Sequence, residues 1–362
     1  MRPALYVAIT AHGFGHATRT AAVLADLRQQ CPEIELYLAT RAPEWLLSCY
    51  IQGAFHRRPL SLDVGVIQTD SLQMDQPATL RAWEELARRE ADLIHQESSF
   101  LRERRIPLVL ADIPGLAIAV AEAAGVPCWM MSNFGWDFIY DPWGPEFGPL
   151  VHQLRDQYHR CDRLFRLPFH EPMSAFPNIE DVGLTGADPR FALQDLRERW
   201  GITTPPERTV LLTFGGLGLE AIPYHTLAQF PDWQFLSFDR SAPSLPNLIR
   251  ITDHRYRPVD VMPLCGRILA KPGYGTFAEA CRLGIPIVSI TRSGFAEAEV
   301  LLEGLQNHAQ HAILPVEDFY AGQWDLLRQP LSSPRQATPL RTDGNSVIVQ
   351  AMLTALLPQV WL

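Results

Sequence analysis

Residues 4–20 read ALYVAITAHGFGHATRT. An unbroken apolar run, Ala4 to Ile9, gives way to a loop holding two glycines and two histidines. A helical pattern follows over Thr18 to Gln30. A continuous apolar run is the mark of a strand buried on both faces. The arrangement recurs at 209–218, TVLLTFGGLG, so the chain contains two strand–glycine-turn beginnings. Further strands are expected at IELYLAT (34–40), PLVLAD (107–112), VPCWMMS (126–132) and RLFRLP (163–168), with a helix from Pro77 to Arg104 among them. In the second half the expected strands are WQFLSF (233–238), LIRIT (248–252), GRILAKPG (266–273) and IPIVSI (285–290), with a helix from Thr276 to Leu283. Such alternation predicts parallel sheets covered on both faces, an α/β chain of two Rossmann-like, doubly wound domains. The segment PFHEPMSAFPNIEDVG (168–183) is rich in proline and lacks periodicity, and reads as the linker. The expected domains are therefore 1–180 and 181–362, the second ending in one amphipathic helix, NSVIVQAMLTALL (345–357).

A length of 362 residues fits two domains. Hydrophobic residues make up 47% and charged residues 20%, the balance of a folded globular chain. The net charge of −9, from 40 acidic and 31 basic residues, argues against a nucleic-acid partner. No run of about 18 apolar residues is present, so no membrane-spanning helix is expected. No strongly basic amphipathic helix supports peripheral membrane contact, which stays open. The opening MRPALYVAIT lacks the small-residue cleavage site of a signal peptide. Six cysteines (31, 49, 128, 161, 265 and 281) form no CxxC pair, which argues against zinc and disulfide frameworks. A cytoplasmic location is the expectation.

The loop HGFGHATR invites a dinucleotide-binding reading, but Thr18 stands where a third glycine belongs. The second strand ends LATRAP, with Arg41 in place of the ribose-binding acid. An NADP-dependent oxidoreductase remains the alternative that nicotinamide binding would reveal. Gly13 and Gly15 let backbone approach a ligand closely. His16, in the first helical turn at the carboxyl end of a strand, is placed to act as a general base. His12 is assigned to bonding the turn itself. Asp112, ending VLADIPG, would orient His16 or cap the following helix.

The stretch LAKPGYGTFAEACRLGIP (269–286) runs from a strand through a glycine turn into a helix. Its amides and helix dipole make an anion site that needs no metal. Lys271 would add charge near a diphosphate. Glu279 would accept both hydroxyls of a ribose, or simply complement the dipole. In SITRSGFAEAEVLLEGL (289–305), Arg292, Phe295 and Glu297 are candidate donor contacts, while Glu299 reads as a solvated helix start. SNFGWDFIYDPWGPEFGPL (132–150) is dense in aromatic residues. It reads as an acceptor-pocket lining or lid, with Asn133, Trp136 and Asp137 on the acceptor side, or as a loop packed on its own domain.

Together these motifs resemble the GT-B superfamily of sugar-nucleotide glycosyltransferases, in the branch of the peptidoglycan N-acetylglucosaminyltransferase and the sterol and lipid enzymes. AHGFGHATR, NFGWDFIY and AKPGYGT are also similar to stretches in the N-terminal, glycosyltransferase-like region of plant L-arabinokinases. That likeness runs over nearly the whole chain. No kinase phosphate loop follows residue 300, so sugar kinase activity is not implied. The resemblance implies two domains facing a cleft and a nucleotide sugar, UDP-linked, as donor, with neither cofactor nor metal. It implies that Gly273, Tyr274, Gly275 and Thr276 hold the diphosphate, Glu279 the ribose, and Phe295 to Glu299 the donor sugar. Gly215 and Gly216, in TFGGLG, would lie close to the phosphates. His16 and Asp112 would serve inverting transfer of a hexosyl group to an acceptor hydroxyl, the acceptor being unknown, with the aromatic segment hinting at an apolar one. Many members carry an Asp–Gln or Gln–Gln pair where this chain has GFAEAE, so the donor sugar does not carry over. A sugar-nucleotide epimerase and a non-catalytic sugar-nucleotide binder are the other readings.

Overall fold

The computed structural model describes residues 2–215, 218–219 and 221–357. Unit 1 comprises residues 1–69, 73–185 and 341–362, and unit 2 residues 70–72 and 186–340.

Unit 1 carries β1 (Ala4–Ile9), β2 (Glu35–Ala39), β3 (His56–Arg58), β4 (Val109–Asp112), β5 (Cys128–Ser132), β6 (Arg163–Arg166) and β7 (Ile179–Asp181). Their order is β3-β2-β1-β4-β5-β6-β7, and every pairing is parallel. Its helices are α1 (Gly15–Gln30), α2 (Glu44–Ser48), α3 (Gln76–Arg104), α4 (Leu116–Ala124), α5 (Trp136–Tyr140) and α6 (Gly148–Tyr158). All six residues of β1 are buried, as its unbroken apolar run requires of a strand covered on both faces. Helix α3 starts where Asp75 accepts from the Ala78 N–H at 2.8 Å. Helix α4 stops at Gly125, whose φ of +75° turns the chain out of the helix.

Unit 2 repeats the plan with β8 (Thr209–Thr213), β9 (Gln234–Ser237), β10 (Leu248–Arg250), β11 (Arg267–Ala270), β12 (Ile287–Ile290) and β13 (His311–Leu314). Their parallel order is β10-β9-β8-β11-β12-β13. Helices α7 (Leu193–Trp200), α8 (Pro258–Val261), α9 (Tyr274–Leu283), α10 (Glu297–His308) and α11 (Val316–Tyr320) connect them. Val210, Leu212, Leu269, Val288 and Ile290 share a core with Phe230, Phe235, Phe319 and Trp324.

Both sheets thus reverse direction at one point, between β1 and β4 and between β8 and β11. A doubly wound sheet binds ligands there, beyond the carboxyl ends of the strands. The register puts Ile9 opposite Asp112 and Thr213 opposite Ala270, which fixes what stands at each reversal.

Two expectations need correction. The segment 168–183 is not simply a linker, because β7 lies inside it and joins the first sheet. The boundary falls at 185/186 rather than 180/181, and the final helix, α12 (Gly344–Leu356), belongs to unit 1. It packs on α1 through buried Ile348, Val349 and Met352, and Asn345 donates to Asp26 at 2.8 Å. Among the described residues no helix is long and apolar enough to cross a membrane.

Candidate functional site

At the first reversal, Gly13 takes φ +63°, a left-handed conformation that glycine alone adopts freely. A Cβ on Gly13 or Gly15 would meet nothing within 4 Å, so the space over this loop is open. Helix α1 begins at Gly15, three residues before the expected Thr18, and carries His16 in its first turn. His16 Nδ1 lies 2.8 Å from Asp112 Oδ1, and both side chains are buried, at 6% and 0% exposure. Asp112 ends β4 and caps no helix: α4 starts without a side-chain cap.

Arg19 also grips Asp112, one turn along α1. Its Nε donates to Oδ2 at 2.7 Å and its Nη2 to Oδ1, while Nη1 donates to Asn133 Oδ1 at 2.7 Å. Thr20 adds a bond to Asp112 Oδ2 at 2.8 Å. Burial alone would push the Asp112 carboxyl up. The charges and hydrogen bonds of Arg19 and His16 outweigh burial and hold it well below the usual carboxylate range. His16 Nδ1 thus stands between the Asp112 carboxylate at 2.8 Å and the Arg19 Nη2 donor at 2.9 Å.

The other residues assigned to this side differ in fate. The Val66 N–H donates to His12 Nδ1 at 3.2 Å, so the His12 ring bonds backbone of a different loop and not of its own turn. Asn133 joins the Arg19 network. Trp136 is fully buried, its ring 6.2 Å from that of His16, and its Nε1 donates to Asp63 at 2.9 Å. Asp137 is held by Arg155 at 3.2 Å. The aromatic segment is therefore interior to unit 1, with Phe134, Trp136, Tyr140 and Phe147 at 1% exposure or less, and the lid reading does not hold. Its rings pack on one another, Trp136 stacked on Tyr140 at 5.8 Å.

Sequence reasoning missed Arg19 and Asp63. The signal for Arg19 was its place three residues after His16, on the same helix face. Burial pushes the Asp63 carboxyl up to about 7, and the Asp112 charge adds to this against the bonds from Thr10 and Trp136.

At the second reversal, Gly215 takes φ +81°, and a Cβ there would stand 2.9 Å from Lys271 Cε. Gly216 lies outside the described residues. Lys271 follows β11 directly. Burial, helped by the Arg292 charge and opposed by Glu297, lowers its pKa to about 7. Helix α9 starts at Tyr274, two residues before the expected Thr276, so Tyr274, Gly275 and Thr276 form its first turn. Gly273 at its N-cap offers no side chain, and α9 starts without a side-chain cap. Glu279 is buried one turn further on. Burial pushes its carboxyl up to about 7, against the Ala187 N–H, which donates to it at 3.3 Å, and the charges of Arg257 and Arg282. Arg292 lies just past the end of β12, its guanidinium 4.1 Å from the centre of the Phe295 ring. Glu297 is the first residue of α10 and is buried, whereas Glu299 is exposed, as expected of a solvated helix start.

Among the described residues no three His, Cys, Asp or Glu side chains are grouped to hold a metal ion. The arrangement offers in unit 1 a buried imidazole whose Nδ1 is held by Asp112 and Arg19. In unit 2 it offers a helix N-terminus without a side-chain cap, the buried Glu279 one turn in, and Lys271 and Arg292, both of which feel the charge of Glu297.

No family model matches the chain. It is 29% identical over 330 residues to the L-arabinokinase of Arabidopsis thaliana, covering 87% of this chain. It spans 31% of that relative's length. Among solved structures it is similar to a UDP-glucose:anthocyanidin 3-O-glucosyltransferase in complex with UDP, with TM-score 0.62, 11% identity and 99% and 96% of the two chains covered. It is also similar to a protein assigned as a UDP-N-acetylglucosamine 2-epimerase of Listeria monocytogenes, with TM-score 0.58, 12% identity and 98% and 96% covered. The two parallel sheets are those of the GT-B fold. The resemblance to the glycosyltransferase-like part of L-arabinokinases extends over most of the chain.

Proposed function

We propose that the protein is a glycosyltransferase that moves a hexosyl group from a nucleoside diphosphate sugar, UDP-linked, to an acceptor hydroxyl. The observation that carries this reading is the second reversal point: the N-terminus of α9, which no side chain caps, Lys271 at the end of the neighbouring strand, and Glu279 one turn into α9. Anions bind at helix N-termini through such amides and the helix dipole. A ribose needs an acceptor for two hydroxyl donors, which a carboxylate supplies. The similar glucosyltransferase was solved with UDP, which supports the choice of nucleotide.

In the proposed step an acceptor hydroxyl oxygen forms a bond to the anomeric carbon. The bond from that carbon to the diphosphate oxygen breaks, and its electron pair leaves with the nucleoside diphosphate. The acceptor proton passes to His16 Nε2, and Asp112 holds the imidazolium through Nδ1. The α9 amides and Lys271 stabilise the charge on the departing diphosphate, so the step needs neither metal nor cofactor. A single displacement inverts the anomeric centre.

The likeness to a protein assigned as a 2-epimerase favours one second reading, epimerisation of the nucleotide sugar. Incubation with UDP-sugars, with and without hydroxyl acceptors, separates the two. Acceptor-dependent release of UDP supports transfer. An altered sugar nucleotide formed without acceptor contradicts it.

A further inference from the structure

Arg292 is 7% exposed, yet its Nε and Nη2 have no hydrogen-bond partner among the described residues. Other arginines here leave Nε alone unmatched while a terminal nitrogen bonds, as Arg282 does to Gly186 O and Asp188. Among the described residues, nothing matches the whole Nε–Nη2 edge of Arg292. That edge carries two parallel N–H donors in the geometry of a carboxylate. The same protein shows what the edge is for. Arg19 takes both oxygens of Asp112 with Nε and Nη2, Arg58 takes those of Glu97, and Arg166 those of Asp181. The charges of Glu297 and Asp70 are felt by Arg292, but neither residue bonds this edge.

Burying unmatched donors costs stability unless a ligand matches them. Burial also lowers the Arg292 pKa, to about 10, so the group stays charged at neutral pH. Its position matters. Arg292 follows β12 and stacks on Phe295, in the loop that leads into α10, whereas the N-terminus without a side-chain cap is that of α9. A diphosphate on α9 and Lys271 leaves the Arg292 fork for another anionic group of the same ligand.

Resting on the nucleotide-sugar reading above, we infer that Arg292 reads a carboxylate on the donor sugar, so that the donor is a nucleoside diphosphate hexuronate. Calorimetric titration of the full chain with UDP, UDP-glucose, UDP-glucuronate and UDP-galacturonate tests this, in wild type and in Arg292→Met. Wild type is expected to bind at least one uronate about tenfold or more tighter than UDP-glucose. In Arg292→Met that preference disappears, UDP affinity is unchanged, and the melting temperature holds or rises because no protein hydrogen bond from Nε or Nη2 is lost. Equal affinity for hexose and uronate donors in wild type overturns the inference, as does a preference that survives the substitution. Loss of UDP affinity in Arg292→Met makes the residue a phosphate ligand and overturns it too. A marked fall in melting temperature assigns Arg292 a structural role instead. Failure of wild type to bind UDP at all rejects the nucleotide reading itself, and this inference with it.

Discussion

The Asp112 carboxylate accepts from Arg19 and Thr20 and lies 2.8 Å from His16 Nδ1, which fixes the ring in place. Substituting His16 by Ala removes the base and should lower turnover by about 10²–10⁴-fold with the fold intact. Near-wild-type turnover would exclude that role. Asp112→Asn should act differently. It leaves the Arg19 guanidinium buried without its counter-charge, a loss of about 3–5 kcal/mol when one partner of a buried pair is removed. Denaturant unfolding would show a larger fall for Asp112→Asn than for His16→Ala, which keeps the Arg19 and Thr20 bonds to Asp112. The linkage has a definite sign. The folded Asp112 pKa lies below the unfolded one, so its stabilisation is present above about pH 4 and is lost as pH falls through the lower folded value. His16 and Asp112 were legible in the sequence because a histidine after a glycine turn and an acid ending a strand are both unusual places for charge. Arg19 was not, since an arginine in a helix reads as a solvated side chain until packing shows it buried. Trp136 was misread for the opposite reason: a run of rings and prolines looks irregular, yet its members form a core of their own.

Helix α9 carries two groups that titrate near neutrality in opposite senses, Glu279 within it and Lys271 just before it. A ribose bound to Glu279 requires the carboxylate, so binding near pH 7 releases a proton there. A diphosphate beside Lys271 favours the ammonium, so binding takes a proton up. The two exchanges offset each other in wild type. In Glu279→Gln only uptake remains, and UDP affinity should fall as pH rises through 7. In Lys271→Met only release remains, and affinity should rise over the same range. Titration in two buffers of different ionisation enthalpy measures the proton count directly, and identical counts in both variants would contradict these assignments. At this scale the central strands were readable from their apolar runs. The edge strands β3, β7 and β13 were not. They are three or four residues long, and HRR and IED carry charge where a buried strand carries none. Edge strands lack a neighbour on one side, and natural sheets protect them with just such short, charged sequences.

Two units with the same strand order account for the repeated glycine turns, but chain order does not assign every element to its unit. The apolar face of α12 was visible in the sequence, and its destination was not, because amphipathicity says that a face is buried and not against what. Met352 is fully buried where α12 belongs to unit 1. Met352→Ala should therefore cost about 2–5 kcal/mol, and hydrogen exchange should show the loss in α1 and β1 while β8, β11 and β12 keep their protection. Loss confined to unit 2 would contradict the division drawn here.

The most direct test of the account is a calorimetric titration of the protein with UDP, in wild type and in Glu279→Ala. The account predicts saturable one-site binding by wild type and a clear loss of affinity in the variant, with the melting temperature of the free protein preserved. A folded wild-type protein that binds no UDP, or binds it equally well without the Glu279 carboxylate, would contradict the nucleotide site on which the proposed transfer depends.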